Sequence, residues 1–144
     1  MKVIGIDIDK TKAIFYALEE NEKGKIVNLT DTFKSLSLND DTDNSAIREF
    51  QSTVHSYFDK IKPGRIGILK RQTKGRFRSA PLSFKIEGLL QCYKKVDIEF
   101  IQPMAVSAFF KKHEFTIEPE FEYQEDAAKL AMYMLRSNPF RNPE

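Results

Sequence analysis

In the first third of the chain, apolar and polar residues alternate with the two-residue period of β-strands. Residues 3–9, 12–19 and 25–36 each fit such a strand, and the turns between them are short and polar. In the first strand the isoleucines share one face, whereas Asp7 and Asp9 share the other. Asp31 interrupts the apolar row of the third strand, so the far half of that strand fits the pattern less well. The pattern predicts a three-strand antiparallel meander.

The rest of the chain alternates between helical and strand-like patterns. Apolar residues recur every three or four positions in the predicted helices, whereas the two predicted strands are short apolar runs. Pro63 and Gly64 end the first helix, and Pro103 suits the first turn of another. The predicted helices span residues 47–61, 82–94, 103–112 and 120–136, and the predicted strands span residues 65–69 and 96–101.

This order of elements predicts an α/β fold with a mixed five-stranded sheet. The meander supplies three antiparallel strands, the two later strands are parallel, and the helices cover the faces of the sheet. A length of 144 residues fits one domain, which we place at residues 1–137. Residues 138–144 contain two prolines and are predicted to form a loose C-terminal tail.

Charge is distributed unevenly, although the net charge is only +2. Residues 59–95 contain eleven Lys or Arg against two acids, and residues 113–128 contain six acids and no Lys or Arg. The basic block suits the attraction of phosphates. A solvated surface balanced by the acidic segment explains the same pattern, and charge alone does not separate the two interpretations.

Several classes of protein are excluded by what the sequence lacks. The single cysteine, Cys92, cannot form an internal disulfide, which indicates a reducing compartment, and we expect a cytoplasmic protein. No apolar run approaches the length of a membrane span, so we expect no membrane partner. His55 and His113 have no partners at zinc-binding spacing, and no P-loop or nucleophile elbow is present.

Three short motifs carry a resemblance to a known family. They are GID at residues 5–7, TKGRF at 73–77 together with SFKIE at 83–87, and YQE at 123–125. The chain resembles the ribonuclease H-like superfamily in its RuvC-like branch, and it resembles most the bacterial domain-of-unknown-function family 3010. The similarity runs over nearly the whole chain. TKGRF with SFKIE is the more specific signal, since many domains begin with GID.

The resemblance implies a nuclease-type metal site built from carboxylates. In the superfamily, two divalent ions clamp the scissile phosphate and activate water, and the ligands come from the first strand, the fourth strand and the last helix. Carried onto this sequence, Asp7 is the first-strand ligand, with Asp9 on the same face. Glu125 or Asp126 is the last-helix ligand. The implied metal is Mg²⁺ or Mn²⁺.

Two positions depart from the family pattern. Lys70 stands where the resemblance places the fourth-strand acid, and Lys129 stands one turn after Asp126, where resolvase-type enzymes often carry another carboxylate. A protonated ammonium cannot bind a metal. The resemblance therefore implies an incomplete metal site in which Lys70 and Lys129 are cations replacing ligands. Asp7 has an alternative structural role, facing solvent or pairing with either lysine.

The basic segment after the fourth strand is the candidate nucleic-acid contact. We expect Arg71, Lys74, Arg76 and Arg78 to contact phosphates. Phe77 either stacks on a base or packs beneath its own loop. Ser79 or Ser83 is expected to cap the helix that follows.

Three functions remain open from the sequence. The first is a RuvC-like, nucleic-acid-associated protein that is weak or inactive as a nuclease. The second is an active endonuclease dependent on Mg²⁺ or Mn²⁺. The third is a protein-interaction scaffold without catalysis. The resemblance also leaves a homodimer open, since resolvase-like enzymes are commonly dimers.

Overall fold

The structure, a computed structural model, describes residues 1–70 and 81–137, and these form a mixed sheet with helices on both faces. The described strands are β1 (Lys2–Asp9), β2 (Lys12–Glu20), β3 (Ile26–Asn28), β4 (Ser35–Ser37), β5 (Arg65–Leu69) and β6 (Ile98–Ile101). Their order across the sheet is β3-β2-β1-β5-β6, and β4 also pairs with β2. The predicted α/β class and mixed sheet are confirmed. The predicted tail, residues 138–144, lies outside the described residues.

The predicted third strand is divided into β3 and β4, so the described sheet has six strands and not five. Both halves pair antiparallel with β2. Between them, the Thr30 hydroxyl accepts a hydrogen bond from the Ala17 N–H at 3.1 Å, in the place of a backbone carbonyl. Asp31 then adopts a φ of 53°, which turns the chain away from the ladder. The polar residues that break the apolar row thus break the strand as well.

The helices lie near their predicted positions, although the last one begins at Glu125 and not at residue 120. They are α1 (Asn44–Ile61), α2 (Pro81–Gln91), α3 (Pro103–Phe110) and α4 (Glu125–Arg136), and a 3-10 turn, Glu122–Gln124, precedes α4. The start of α1 is set by Asp43, whose carboxylate accepts the Ser45 N–H at 2.9 Å. Ser83 does not cap α2. It lies inside the helix and donates its hydroxyl to the Lys10 carbonyl at 2.9 Å. Ser79 lies outside the described residues.

The two faces of the sheet bury separate cores. Helices α1 and α2 cover one face, where Ile4, Ile6 and Ile8 of β1 meet an aromatic cluster. Helices α3 and α4 cover the other face, where the core consists mainly of aliphatic and small residues. The parallel strands β1, β5 and β6 all end at the same edge of the sheet. In α/β folds this edge is the usual place for a ligand site.

Helix α4 runs antiparallel to β1, and two arginines fix its far end. Arg65 donates to both carboxylate oxygens of Glu99, at 2.8 and 2.7 Å, and to the Met134 carbonyl at 2.8 Å. Arg136 pairs with Glu20 at 2.8 Å. Since these contacts lie where β1 begins, the N-terminus of α4 lies where β1 ends. Among residues 1–70 and 81–137, no helix is long and apolar enough to cross a membrane.

Candidate functional site at the carboxyl ends of the strands

The position of α4 over the sheet depends on Gly5. A Cβ at this residue would lie 2.5 Å from the Ala127 carbonyl oxygen and 2.7 Å from the Ala131 nitrogen. Such distances are well inside van der Waals contact, so only glycine permits this approach. The glycine of the GID motif therefore lets the helix rest directly on β1. Asp7 of the same motif follows two residues later, beyond the crossing point and on the same face.

Asp7 is half-buried near the end of β1 and pairs across the hairpin with Ile14. Asp9 is exposed and lies opposite Lys12 in the register of the hairpin, so both acids and Lys12 lie on the α4 side of the sheet. This arrangement follows from the two-residue period of the strands. The sequence predicted the shared face of Asp7 and Asp9, and the hairpin register adds Lys12 to it.

The last-helix acids lie in the first turn of α4, and both are exposed. Glu125 forms an ion pair with Lys129, at 3.1 Å between Oε1 and Nζ. The same ammonium lies 5.6 Å from the centroid of the Phe115 ring. Asp126 precedes Ala127, which touches β1 at Gly5. Of the two acids in this turn, Glu125 is thus paired with Lys129, and Asp126 is bonded directly to the residue that contacts β1.

Lys70 is the first residue beyond β5 and is exposed. Its N–H donates to the Ile101 carbonyl at 2.8 Å, so the backbone still follows the sheet. Leu69 packs with the α4 core, and continued alternation assigns Lys70 to the opposite face, away from Asp7. The idea that Lys70 replaces a ligand beside Asp7 gains no support from this register, and it stays a prediction.

The described residues do not provide the donor set of a two-metal site. Within residues 1–70 and 81–137, no three His, Cys, Asp or Glu side chains are grouped so as to hold a metal ion. Of the expected ligands, Glu125 is paired with the Lys129 ammonium. Asp7 and Asp126 are two carboxylates, and two metal ions need more oxygen ligands than two carboxylates supply.

Other polar residues at this edge were not identified as site residues from the sequence. Ser83 and Glu87 are four residues apart on α2, and both side chains are buried. Ser83 ties α2 to the turn between β1 and β2. Their signal in the sequence was a polar pair on the same helical stripe as Ile86 and Leu90. Lys12 and Tyr123 also meet here, but 111 positions separate them and no local pattern links them.

The predicted phosphate contacts, Arg71, Lys74, Arg76 and Arg78, and the predicted stacking residue Phe77 lie outside the described residues. The described residues on either side of this segment nevertheless lie at this edge of the sheet. Lys70 lies at the end of β5, and α2 is bonded through Ser83 to Lys10. Both neighbours of the basic segment are therefore close to the carboxyl ends of the strands.

Comparison with solved structures shows the fold. The chain is similar to the RuvC protein of Thermus thermophilus in complex with a Holliday junction substrate, with a TM-score of 0.69 and 16% identity, over 96% of this chain and 97% of that one. It is also similar to the fowlpox virus resolvase in complex with Holliday junction DNA, with a TM-score of 0.53 and 13% identity, over 95% and 98% of the two chains.

A third similar structure is the yeast mitochondrial Holliday junction resolvase, with a TM-score of 0.52 and 14% identity, over 98% of this chain and 70% of that one. At these identities the comparisons establish the RuvC-like fold. No curated protein sequence matches the chain. The family model described as a protein of unknown function, DUF3010, matches residues 1–134, and the chain therefore belongs to this family.

Proposed function

We propose that this chain is a nucleic-acid-binding protein of the RuvC-like fold that does not cut its substrate efficiently. The observation that carries the proposal is the meeting of β1 and α4. Asp7 and the first turn of α4 occupy one end of the sheet, and Lys129 holds Glu125 in an ion pair there. The acidic cleft typical of a nuclease is thus present in outline, with one of its carboxylates paired to an ammonium.

The basic composition of residues 71–78 supports nucleic acid as the ligand. The segment that joins β5 to α2 carries Arg71, Lys74, Arg76 and Arg78, and its described neighbours lie at the same edge as Asp7. Lysine and arginine bind phosphates and release condensed counterions. The similarity to proteins that hold Holliday junctions makes branched DNA the first ligand to test.

A salt series on a labelled four-way DNA junction tests the proposal, with EDTA present to remove metal ions. We expect the logarithm of the association constant to fall linearly with the logarithm of salt concentration, because each phosphate contact contributes about −0.9 to the slope. Binding that is absent or insensitive to salt would contradict the proposal and favour a protein-interaction scaffold.

A charge variant locates the binding. Asp126→Asn is expected to bind the junction more tightly than the wild type in EDTA, because one carboxylate no longer repels the phosphates. Glu22→Gln removes the same charge from an exposed turn at the other end of the sheet, and it is the matched control. Equal affinity of the two variants would place the DNA elsewhere on the surface.

A further inference from the structure

We infer that Lys12 is a phosphate-binding residue of this cleft and that Tyr123 positions it. This inference rests on the proposed function, because it names a contact within the same site. Lys12 is the first residue of β2 and pairs with Asp9, so its side chain leaves the sheet on the face that carries Asp7 and α4. The contact is distinct from the predicted contacts at residues 71–78.

The ammonium of Lys12 is held by an aromatic ring. Its Nζ atom lies 4.8 Å from the centroid of the Tyr123 ring, a distance at which the electron-rich face of the ring attracts a cation. Within residues 1–70 and 81–137, the Lys12 ammonium has no ion pair and no hydrogen bond. An ammonium carries three N–H donors, and a carboxylate partner would accept hydrogen bonds from them. The face of an aromatic ring attracts the positive charge and leaves the N–H donors available.

Tyr123 has a defined position of its own. It lies in the 3-10 turn before α4, where buried Gln124 accepts the Phe121 N–H at 2.9 Å. The rings of Phe121 and Tyr123 stack with centroids 5.6 Å apart and planes at 8°. The turn is thereby fixed at the N-terminus of α4, and Lys12 extends along a surface that is already formed.

The location suits a phosphate. Lys12 is half-buried at the edge where β1 ends, beside the positive end of the α4 dipole. The exposed carboxylate of Asp126 would repel a nucleic-acid backbone at this edge. Lys12 is fixed nearby with its N–H donors available. It offsets that repulsion and binds one phosphate at the entrance of the cleft. The other lysine of the cleft, Lys129, is already paired with Glu125.

The test compares four variants of the full chain for binding to the labelled four-way junction over a salt series in EDTA. Lys12→Gln is expected to weaken binding several-fold and to reduce the salt slope by about one, as for the loss of one phosphate contact. Lys25→Gln removes the same charge from the exposed turn between β2 and β3, at the far end of the sheet, and is expected to leave the slope unchanged.

Two variants of Tyr123 separate positioning from general charge. Tyr123→Ala removes the ring without changing the net charge, and it is expected to weaken binding and lower the slope in the same direction as Lys12→Gln. Tyr123→Phe keeps the ring face and is expected to bind as the wild type does. Since Tyr123 is 41% exposed, these variants also test the inference if Lys12→Gln does not fold.

The outcomes distinguish this inference from the proposed function. If the wild type binds with a steep salt slope and Lys12→Gln behaves like Lys25→Gln, Lys12 is not a contact and only this inference is overturned. Wild-type affinity and slope in Tyr123→Ala would overturn the positioning by Tyr123. If the wild type does not bind nucleic acid at any salt concentration, the proposed function fails together with the inference.

Discussion

The two faces of the sheet are packed in different ways. On the side of α1 and α2, large rings fill the space, and the rings of Phe33 and Tyr57 stack 4.3 Å apart. On the side of α4, Gly5 has no side chain, so the backbone of the helix packs directly against the strand at this residue. We call the side of α1 and α2 the aromatic face and the side of α4 the glycine face. The aromatic face stabilises the fold through buried apolar area. The glycine face fixes the position of α4, because direct backbone contact brings the first turn of α4 to the end of β1 beside Asp7.

The largest effect is expected on the aromatic face. Phe58 is fully buried between α1 and the sheet, with its ring 5.0 Å from that of Tyr93. Phe58→Ala should lower the free energy of unfolding by about 3–5 kcal/mol, because it leaves a cavity that the neighbouring rings cannot fill. Urea denaturation measures this change.

The matched control for Phe58 is Phe100→Ala on β6, where the side chain is 39% exposed and should matter much less. A cost for Phe58→Ala no larger than that of Phe100→Ala would show that the aromatic cluster is not the main source of stability. Junction affinity, measured on the folded protein, should be close to the wild-type value, since Phe58 lies on the face away from the cleft.

The next effect tests the glycine face. Gly5→Ala forces a methyl group against the Ala127 carbonyl and the Ala131 nitrogen, neither of which can rotate away. We expect a loss of about 1–3 kcal/mol or more in the free energy of unfolding. Junction affinity should also fall in the protein that remains folded, because α4 must move away from β1. Wild-type stability and affinity in Gly5→Ala would contradict the idea that α4 depends on close approach at Gly5.

A smaller effect of opposite sign is expected at Gly88 in α2. A Cβ at this residue would meet nothing within 4 Å, so the substitution is free of clashes. Gly88→Ala should stabilise the protein by roughly 0.5–1 kcal/mol through helix propensity alone. Thermal unfolding would show a raised Tm. Destabilisation would mean that α2 also depends on close approach, and the contrast between the faces would be lost.

The smallest effect concerns alkaline pH on the aromatic face. Burial raises the pKa of Tyr57 well above its ordinary value of 10, and burial together with Asp59 raises the pKa of Tyr93 to about 12. The unfolded chain loses these protons first, so stability is complete below pH 10 and falls as the pH rises above it. Tyr57→Phe should flatten this fall in Tm measured between pH 9 and 11. An unchanged slope would show that Tyr57 does not contribute to it.

Most of the fold could be predicted because local pattern and final position agree. Residues 65–69 were predicted as a strand and are β5, since a five-residue apolar run after Pro63-Gly64 has the length of a buried strand. The third strand fitted less well. Asp31 in its apolar row weakens the pattern of the far half without predicting a break. The hydrogen bond from the Ala17 N–H to the Thr30 hydroxyl depends on a neighbouring strand that the local sequence does not reveal.

Less of the candidate site than of the fold could be predicted from the sequence. The alternation of β1 is enough to place Asp7 and Asp9 on one face. Glu125 and Asp126 were identified through the family resemblance, and the structure places them in the first turn of α4. The contact of Lys12 with Tyr123 depends on the crossing of α4 over the β1–β2 hairpin. That crossing is set by the close approach at Gly5, which is a property of three-dimensional packing. No spacing in the chain encodes it.

Binding without cleavage is tested by incubating the full chain with a labelled four-way junction in Mn²⁺. Anisotropy reports binding and denaturing electrophoresis reports cleavage in the same sample, with Asp7→Asn and an EDTA sample alongside. We expect the junction to be bound by the wild type and to remain intact. Cleavage that disappears in both Asp7→Asn and EDTA would show a working metal site, and the proposed function would then be wrong.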